Sequence, residues 1–324
     1  MSTIHTIEEL VPVAIEAALQ GFFEVKEASG KPMILEDKGG CDACTYWDNH
    51  LEEITTKLFQ AKTPGITVFA EESKDRNDSQ WTRKQHKLWI LDAIDGTPNF
   101  KDGLPQWGKA VAYLEGDECL INAIAIPSEN VVYVAAKGKG AFLIDLQEVV
   151  DRDHLVWKVG YPFYPTTDQT VGMALEEWRF CVGGSSSKLS TTQKKSKIQV
   201  GYDLGYVDRG QKLTHIISRF ADDKSVYYTP CIGSASYGLC ALASGRLGAY
   251  MIIGVDINDI YPGLLLVKEA GGMVSDQFGN PITRESGTLI ASANKDIHNF
   301  LLEAIRPAAE NNGISSIWKY RKAK

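Results

Sequence analysis

Two short apolar runs in the first third of the chain end in acid. Ile66-Thr67-Val68-Phe69 leads into Ala70-Glu71-Glu72, and Leu88-Trp89-Ile90-Leu91 leads into Asp92-Ala93-Ile94-Asp95-Gly96-Thr97. Runs of this length and β-branched or aromatic content read as buried strands. A buried strand that delivers carboxylates at its end narrows the folds open to the chain, because the fold must also compensate the charge. Like charges held within a few ångström repel and are costly to desolvate, so such a cluster stays ionised only if cations are supplied. Divalent magnesium meets that need. The other reading of Asp92 and Asp95 is turn and helix capping, the usual work of Asp beside Gly.

The chain has 324 residues, 44% of them hydrophobic and 23% charged, enough for one large core or two joined ones. Two lobes are expected, 1–150 carrying most of the acids and 151–324 with an expanded 151–200 segment. A formal net charge of −7 speaks against a nucleic-acid surface, which needs a basic stripe to displace phosphate counterions. A small anionic substrate is compatible with it, since a bound metal reverses the local sign. The apolar runs at 119–128 and 246–255 fall short of the ~20 residues of a membrane span. Glu8, Glu9, Glu16 and Glu24 are foreign to a leader peptide. Six cysteines without framework spacing predict reduced thiols and a cytoplasmic protein. Cys41 and Cys44 form a lone C-x-x-C, without the second pair that a zinc site needs.

Thr6 and Glu9 make a capping box ahead of Leu10, Val13, Ala14, Ala17 and Ala18, which predicts an amphipathic helix running toward Gly30 and Pro32. A second helix is expected with Asp48 as its N-cap and Leu51, Ile54, Leu58 and Phe59 at helical spacing. Strands are predicted at 66–70, 88–92, 109–114, 120–126 and 131–135, with a hairpin turn at 115–118. After the aromatic-rich 151–181 and the low-complexity 185–197, strands at 198–203, 225–229, 249–253 and 287–292 interleave with helices near 209–221, 234–243, 259–270 and 295–306. The N-terminal half thus reads α+β and the C-terminal half α/β. His50, His86, His154, His215 and His298 stand singly and read as surface or helix residues, and Asp256 as an exposed turn residue.

A D-x-x-D pair at a strand end lets one carboxylate reach one ion while the second reaches its neighbour. Two ions about 3.5–4 Å apart then bridge a phosphoryl group and polarise a water. Gly96 removes a side chain where backbone N–H groups must approach an anion, and Thr97 supplies a hydroxyl to orient the water.

The string WILDAIDGTPNF resembles the W-I-x-D-P-[IL]-D-G-T-x-N-F signature of the inositol monophosphatase family, with Ala93 in place of the proline. FAEES is similar to the family's G-E-E-S, KGGCDACTYWD at 38–48 to its K-x-x-x-D-x-x-T-x-x-D stretch, and GKGAF at 138–142 and CIGSAS at 231–236 to its glycine-containing strings. NDIYPGLLLVKEAGG at 258–272 resembles its W-D-x-A-x-G-x-x-x-x-x-E-A-G-G motif, with Asn258 in the tryptophan position. The resemblance covers most of the chain. It implies a layered α-β-α-β-α sandwich, a homodimer, and a magnesium-dependent phosphomonoesterase.

Carried over residue by residue, the resemblance implies that Glu71, Asp92 and the carbonyl of Ile94 hold one magnesium, and Asp92, Asp95 and Asp259 a second, with Glu71 helping to place a third. Asp48 pairs with Thr97, and with Glu71 these form the candidate catalytic set. Asp95, Gly96 and Thr97 face the phosphate, while Gly233, Ser234, Ala235 and Ile252 line the substrate side. Ile252 stands where the family has a hydroxyl-binding glutamate. An apolar side chain cannot accept a hydrogen bond from a cyclitol hydroxyl, so inositol phosphate fits poorly. A small phosphorylated polyol, sugar or cyclitol is the expected substrate class, with sugar bisphosphates, histidinol phosphate and 3'-phosphonucleotides as alternatives. A noncatalytic phosphate-binding member would be expected to lack metal acids or Thr97, and Glu71, Asp92, Asp95, Thr97 and Asp259 are all present.

Overall fold

The computed structural model describes residues 5–31, 35–37, 43–72, 84–146, 198–204, 220 and 226–310. The expectations for Cys41, for 151–197 and for most of the helix at 209–221 lie outside them. Helix α1 (Ile7–Leu19) opens with the expected box: Thr6 Oγ1 accepts from Glu9 N at 3.3 Å and Glu9 Oε2 from Thr6 N at 2.9 Å. The helix does not run on to Gly30. Gly21 takes the left-handed backbone and the chain starts again as α2 (Phe22–Ala28). In α3 (Tyr46–Lys62) the N-cap is Thr45 and not Asp48, which is the third helical residue and reaches back to Thr45 N at 2.7 Å.

A two-stranded antiparallel ribbon, β1 (Leu35–Asp37) with β2 (Ala43–Thr45), precedes α3. The first large sheet runs in chain order: β3 (Thr67–Ala70), β4 (Lys87–Asp95), β5 (Gly108–Glu115), β6 (Glu118–Ile126), β7 (Val131–Ala136) and β8 (Gly140–Asp145). Only β3 and β4 pair parallel; the rest is an antiparallel meander. Helix α4 (Thr97–Asp102) follows β4 directly. The second sheet comprises β9 (Ile198–Leu204), β10 (Val226–Tyr228), β11 (Ala249–Ile253), β12 (Met273–Ser275) and β13 (Thr288–Ser292), in the order β10-β9-β11-β13-β12. Here β9 is parallel to both neighbours and β13 antiparallel to both of its own.

Three apolar interiors stack these elements. Leu10, Ala14 and Ala17 of α1 pack on Trp89, Val111 and Tyr113, on the outer face of the first sheet. Helices α5 (Ala235–Ala243) and α6 (Ile257–Glu269) lie between the sheets, joining Leu88 and Ile90 of one to Tyr250 and Leu289 of the other through Leu239 and Leu265. Beyond the second sheet, α7 (Lys295–Glu310) sets Leu301 and Ile305 on Met251 and Ile290. The result is the α-β-α-β-α sandwich, an α+β layered fold, and the middle interior draws on both halves of the chain. A helix with a sheet on either side has no face for water, which is why α6 reads as nearly continuous apolar sequence.

Close approach inside the middle layer rests on Gly238 of α5. A Cβ there would lie 2.2 Å from Cζ of Tyr250, whose ring is fully buried and cannot yield. Gly238→Ala is expected to destabilise the protein by about 1–3 kcal/mol, seen as a lower urea midpoint at unchanged slope.

The EAGG and GKGAF strings meet in the structure. Glu269, the last residue of α6, accepts from Gly138 N at 2.8 Å and Gly140 N at 2.9 Å, tying the β7–β8 turn to the helix. His298 is a helix residue, in α7, but not a surface one: it is buried, with Nε2 2.8 Å from Ser275 Oγ and Nδ1 3.0 Å from Ser292 Oγ, and burial lowers its pKa. Among the described residues no helix is long and apolar enough to cross a membrane.

Candidate metal centre

Strand register gathers the acids. β3 pairs with β4 so that Ala70 lies opposite Leu91, and Glu71, whose N–H donates to Leu91 O at 3.2 Å, comes to rest beside Asp92. In a regular strand residues three apart point to opposite faces. Between Asp92 and Asp95, however, β4 bulges against β5, Asp92 pairing with Ala110 and Asp95 with Gly108. Three steps on one strand face two on the other, and the extra residue turns Asp95 to the same side as Asp92. Asp259, in the first turn of α6, completes the group. Asp92, Asp95 and Asp259 each offer a carboxylate oxygen, all within 4.8 Å of one another. Asp256 is the partly buried N-cap of α6 and not an exposed turn residue; its N–H donates to Asp259 Oδ2 at 2.9 Å.

The electrostatics of this group are unbalanced. Asp92 is 1% exposed and its Oδ1 has no hydrogen-bond partner. Burial raises its carboxyl well above the usual range, and the charges of Glu71, Asp95 and Asp259 raise it further. Asp259 is raised in the same way, by burial and then by Glu71 and Asp95. For Asp95 burial again raises the pKa, but hydrogen bonds from Ser236, Ser234 and Ala235 pull against it. Asp48 is raised by burial and held down by Thr45 and Thr97. A buried, unpartnered carboxylate oxygen among like charges fits a hard divalent cation, which binds oxygen ligands and supplies the missing charge. Asp95 Oδ1 accepts one N–H, from Ala235 at 3.2 Å, and keeps a lone pair for such an ion.

The structure also brings Thr97 to Asp48. Thr97 Oγ1 lies 3.0 Å from Asp48 Oδ1 and 3.0 Å from the carbonyl oxygen of Ile94. The Ile94 side chain is buried with Leu51, Phe100 and Trp107, so the carbonyl that meets Thr97 is the group it offers here. Gly96 is the N-cap of α4 at φ 90°, and a Cβ there would sit 2.9 Å from Ser234 Cβ and 3.0 Å from the carbonyl of Gly233. The two halves of the chain touch here, and only glycine permits both the conformation and the approach. Pro98 sits in the first turn of α4, where its missing N–H costs nothing.

Three of the expected substrate contacts, Ser234, Ala235 and Ile252, are used otherwise. Ser234 Oγ donates to Asp95 Oδ2 at 2.8 Å, and the N–H groups of Ala235 and Ser236 complete a three-donor cradle around that carboxylate. Gly233 is exposed beside them. Ile252 presents no surface: it is wholly buried in the middle interior, so it is core and not rim. Sequence reasoning missed Asn99, Tyr250 and Asp203, which surround the same cradle. Asp203 was detectable, since it too is an acid at the end of a β-rich run. Burial pushes its carboxyl up to about 6, against the downward pull of Tyr250 and Gly233.

Comparison with known proteins bears on this geometry. An inositol-1-monophosphatase of Mesorhizobium japonicum is 26% identical over 300 residues, covering 92% of this chain and 96% of that one. A fructose-1,6-bisphosphatase/inositol-1-monophosphatase of Thermotoga maritima is 29% identical over 280 residues, with 86% and 89% covered. Among solved structures, the Thermotoga maritima IMPase superposes with a TM-score of 0.68 at 24% identity, covering 92% of this chain and 96% of its own. The sequence profile described as "Inositol monophosphatase family" matches residues 6–310. With that match running from the capping box of α1 to the end of α7, the chain belongs to the inositol monophosphatase family of metal-dependent phosphoric monoester hydrolases.

Proposed function

We propose that the chain is a magnesium-dependent phosphomonoesterase acting on a small phosphorylated polyol, sugar or cyclitol. The observation that carries the reading is the orphaned Oδ1 of Asp92 inside a set of three carboxylates within 4.8 Å. Glu71, Asp92 and the Ile94 carbonyl would hold one ion and Asp92, Asp95 and Asp259 another, with Glu71 helping to place a third. Bound magnesium would neutralise phosphate charge, lower the pKa of water and stabilise the departing alkoxide. The chain's own residues do the rest. Asp48 Oδ1 takes the Thr97 hydroxyl proton at 3.0 Å, which leaves the Thr97 lone pairs to receive a proton of the attacking water and so to aim it. Asp48 is itself held by two donors from Thr45, at 2.7 and 2.6 Å, so the hydroxyl it orients has a fixed direction. Gly96 and Thr97 offer backbone donors to the phosphate. The thiols of Cys44, Cys119, Cys231 and Cys240 suit a cytoplasmic setting, and a homodimer is the assembly expected with this fold.

Phosphate release over a panel of inositol 1-phosphate, fructose 1,6-bisphosphate, histidinol phosphate and a 3'-phosphonucleotide tests the reading. At least one substrate is expected to turn over with magnesium and none with chelator. With Ile252 in the core, no acid on that strand position meets a cyclitol hydroxyl, and inositol 1-phosphate is expected to run at least about tenfold slower than the best substrate. Release that survives chelation would sink the metal centre; efficient turnover of inositol 1-phosphate would sink the substrate reading.

A further inference from the structure

The cradle that grips Asp95 must itself be held. It is a short stretch, Ile232 to Ser236, pinned from two sides. From α4, Asn99 Nδ2 donates to the carbonyl of Ile232 at 2.9 Å and to that of Gln106 at 2.6 Å, and its amide presses on Gly233, where a Cβ would lie 2.9 Å from Nδ2. From β9, Asp203 Oδ1 accepts the N–H of Gly233 at 2.5 Å and of Ile232 at 3.1 Å, with the Cys231 thiol at 3.5 Å. Asp203 Oδ2 accepts the hydroxyl of Tyr250, whose oxygen also lies 3.1 Å from the carbonyl of Ser234.

Asp203 is 8% exposed and Tyr250 fully buried, and among the described residues no lysine, arginine or histidine forms an ion pair with Asp203. Taking a carboxylate out of water is costly, and the N–H and O–H donors around Asp203 offset that cost rather than add to stability. What it does provide is direction: charge-assisted hydrogen bonds fix the backbone that donates them. The backbone so fixed carries Ser234 Oγ, Ala235 N and Ser236 N, the three donors that aim Asp95.

We propose that Asp203 is a positioning residue of the metal centre, acting through Tyr250 and the 232–236 stretch to hold Asp95 Oδ1 toward the cation. It touches neither metal nor substrate, and its role rests on the reading of Asp95 as a metal ligand given above. Supporting groups of this kind, one step removed from a ligand, typically cost 10–100-fold in metal affinity when lost.

Asp203→Asn keeps one oxygen for the Ile232 and Gly233 N–H groups but turns an amide NH2 toward the Tyr250 hydroxyl and removes the charge that assists all of these bonds. Magnesium binding measured by calorimetry is expected to weaken about 10–100-fold, with the substrate KM at saturating magnesium little changed. Tyr250→Phe keeps the ring that packs on Gly238 and loses only the hydroxyl link, so it should move the affinity the same way by less. Thermal melting in chelator shows whether each variant is folded without metal. If the wild type binds no magnesium, the metal-centre reading fails and the inference with it. If the wild type binds and the folded variants bind equally well, Asp203 and Tyr250 are merely structural and the inference alone is overturned. Should Asp203→Asn not fold, wild-type affinity in Tyr250→Phe overturns it and a weakened affinity supports it.

Discussion

Asp92→Asn is expected to cut magnesium-dependent phosphate release about 10³-fold and yet to raise the melting temperature of the metal-free protein. The loss follows from the place of Asp92 in both proposed ion sites. Metal coordination supplies several kcal/mol of transition-state stabilisation, and about 4 kcal/mol corresponds to three orders of magnitude in rate. The gain follows from the same geometry read without metal. Asp92 is buried, its Oδ1 lacks a partner, and the charges of Glu71, Asp95 and Asp259 press on it. An asparagine of the same shape removes one of those charges. A benefit of about 1–2 kcal/mol is typical where a functional site sacrifices stability, which amounts to a few degrees in a chain of this size. Parallel assays of phosphate release and melts in chelator check both halves. Retained release, or a lower melting point in chelator, would remove Asp92 from the centre.

Metal-free protein should also lose stability as pH rises, the reverse of what paired surface carboxylates would do, and magnesium should abolish that loss. Asp92, Asp95, Asp259 and Asp48 are all raised by burial, so above the ordinary carboxylate value of about 3.9 the folded chain holds protons that the unfolded chain releases. Their contribution is fully present below that value and is lost as pH rises through the raised folded values. His298 works against it. Burial lowers its pKa, so its contribution is present above about 6.5 and is lost as pH falls below it. Lys109 works against it too, since burial holds its pKa well below the ordinary value of about 10.4, and the acid slope is read as the difference between magnesium and chelator, conditions that both groups share. Magnesium binds the deprotonated form, and at a hundredfold excess over its Kd would return about 2.7 kcal/mol. Melts at a series of pH values above about 3.9, with magnesium and with chelator, should diverge as pH rises through the raised folded values. Parallel curves would show that the buried acids do not hold the ion.

Much of this was legible in the residues because each signal was local. The Thr6–Glu9 box, the β-rich runs of β5 to β7 and the start of α5 at Ser234 depend on neighbours in the chain, and the structure forms them where the pattern lies. The split of α1 from α2 at Gly21 and the cap of α3 at Thr45 differ from expectation although both signals are local, a left-handed glycine and a Thr45–Asp48 capping box. The acids were visible for a different reason: charge at the end of a buried strand is costly enough to need an explanation. What could not be read was how the acids face one another. The bulge between Asp92 and Asp95 depends on pairing with Gly108 and Ala110, and the cradle of Asp95 joins residues 139 to 141 positions apart. Ile252 illustrates the limit of counting along a motif. The position is right in the string, but its side chain belongs to the interior.

Helix α6 carries Asp259 at one end and at the other, through Glu269, grips the turn between β7 and β8. Between those ends both sheets close over it, burying Ile260, Tyr261 and Leu264 to Val267. A helix that frays does so from a solvated end or face, and opening of such a packed segment comes only with the whole molecule. Asp259 therefore has no private route by which to swing away. A metal ion held as proposed would meet this carboxylate already in place, with no helix to reorder before it binds.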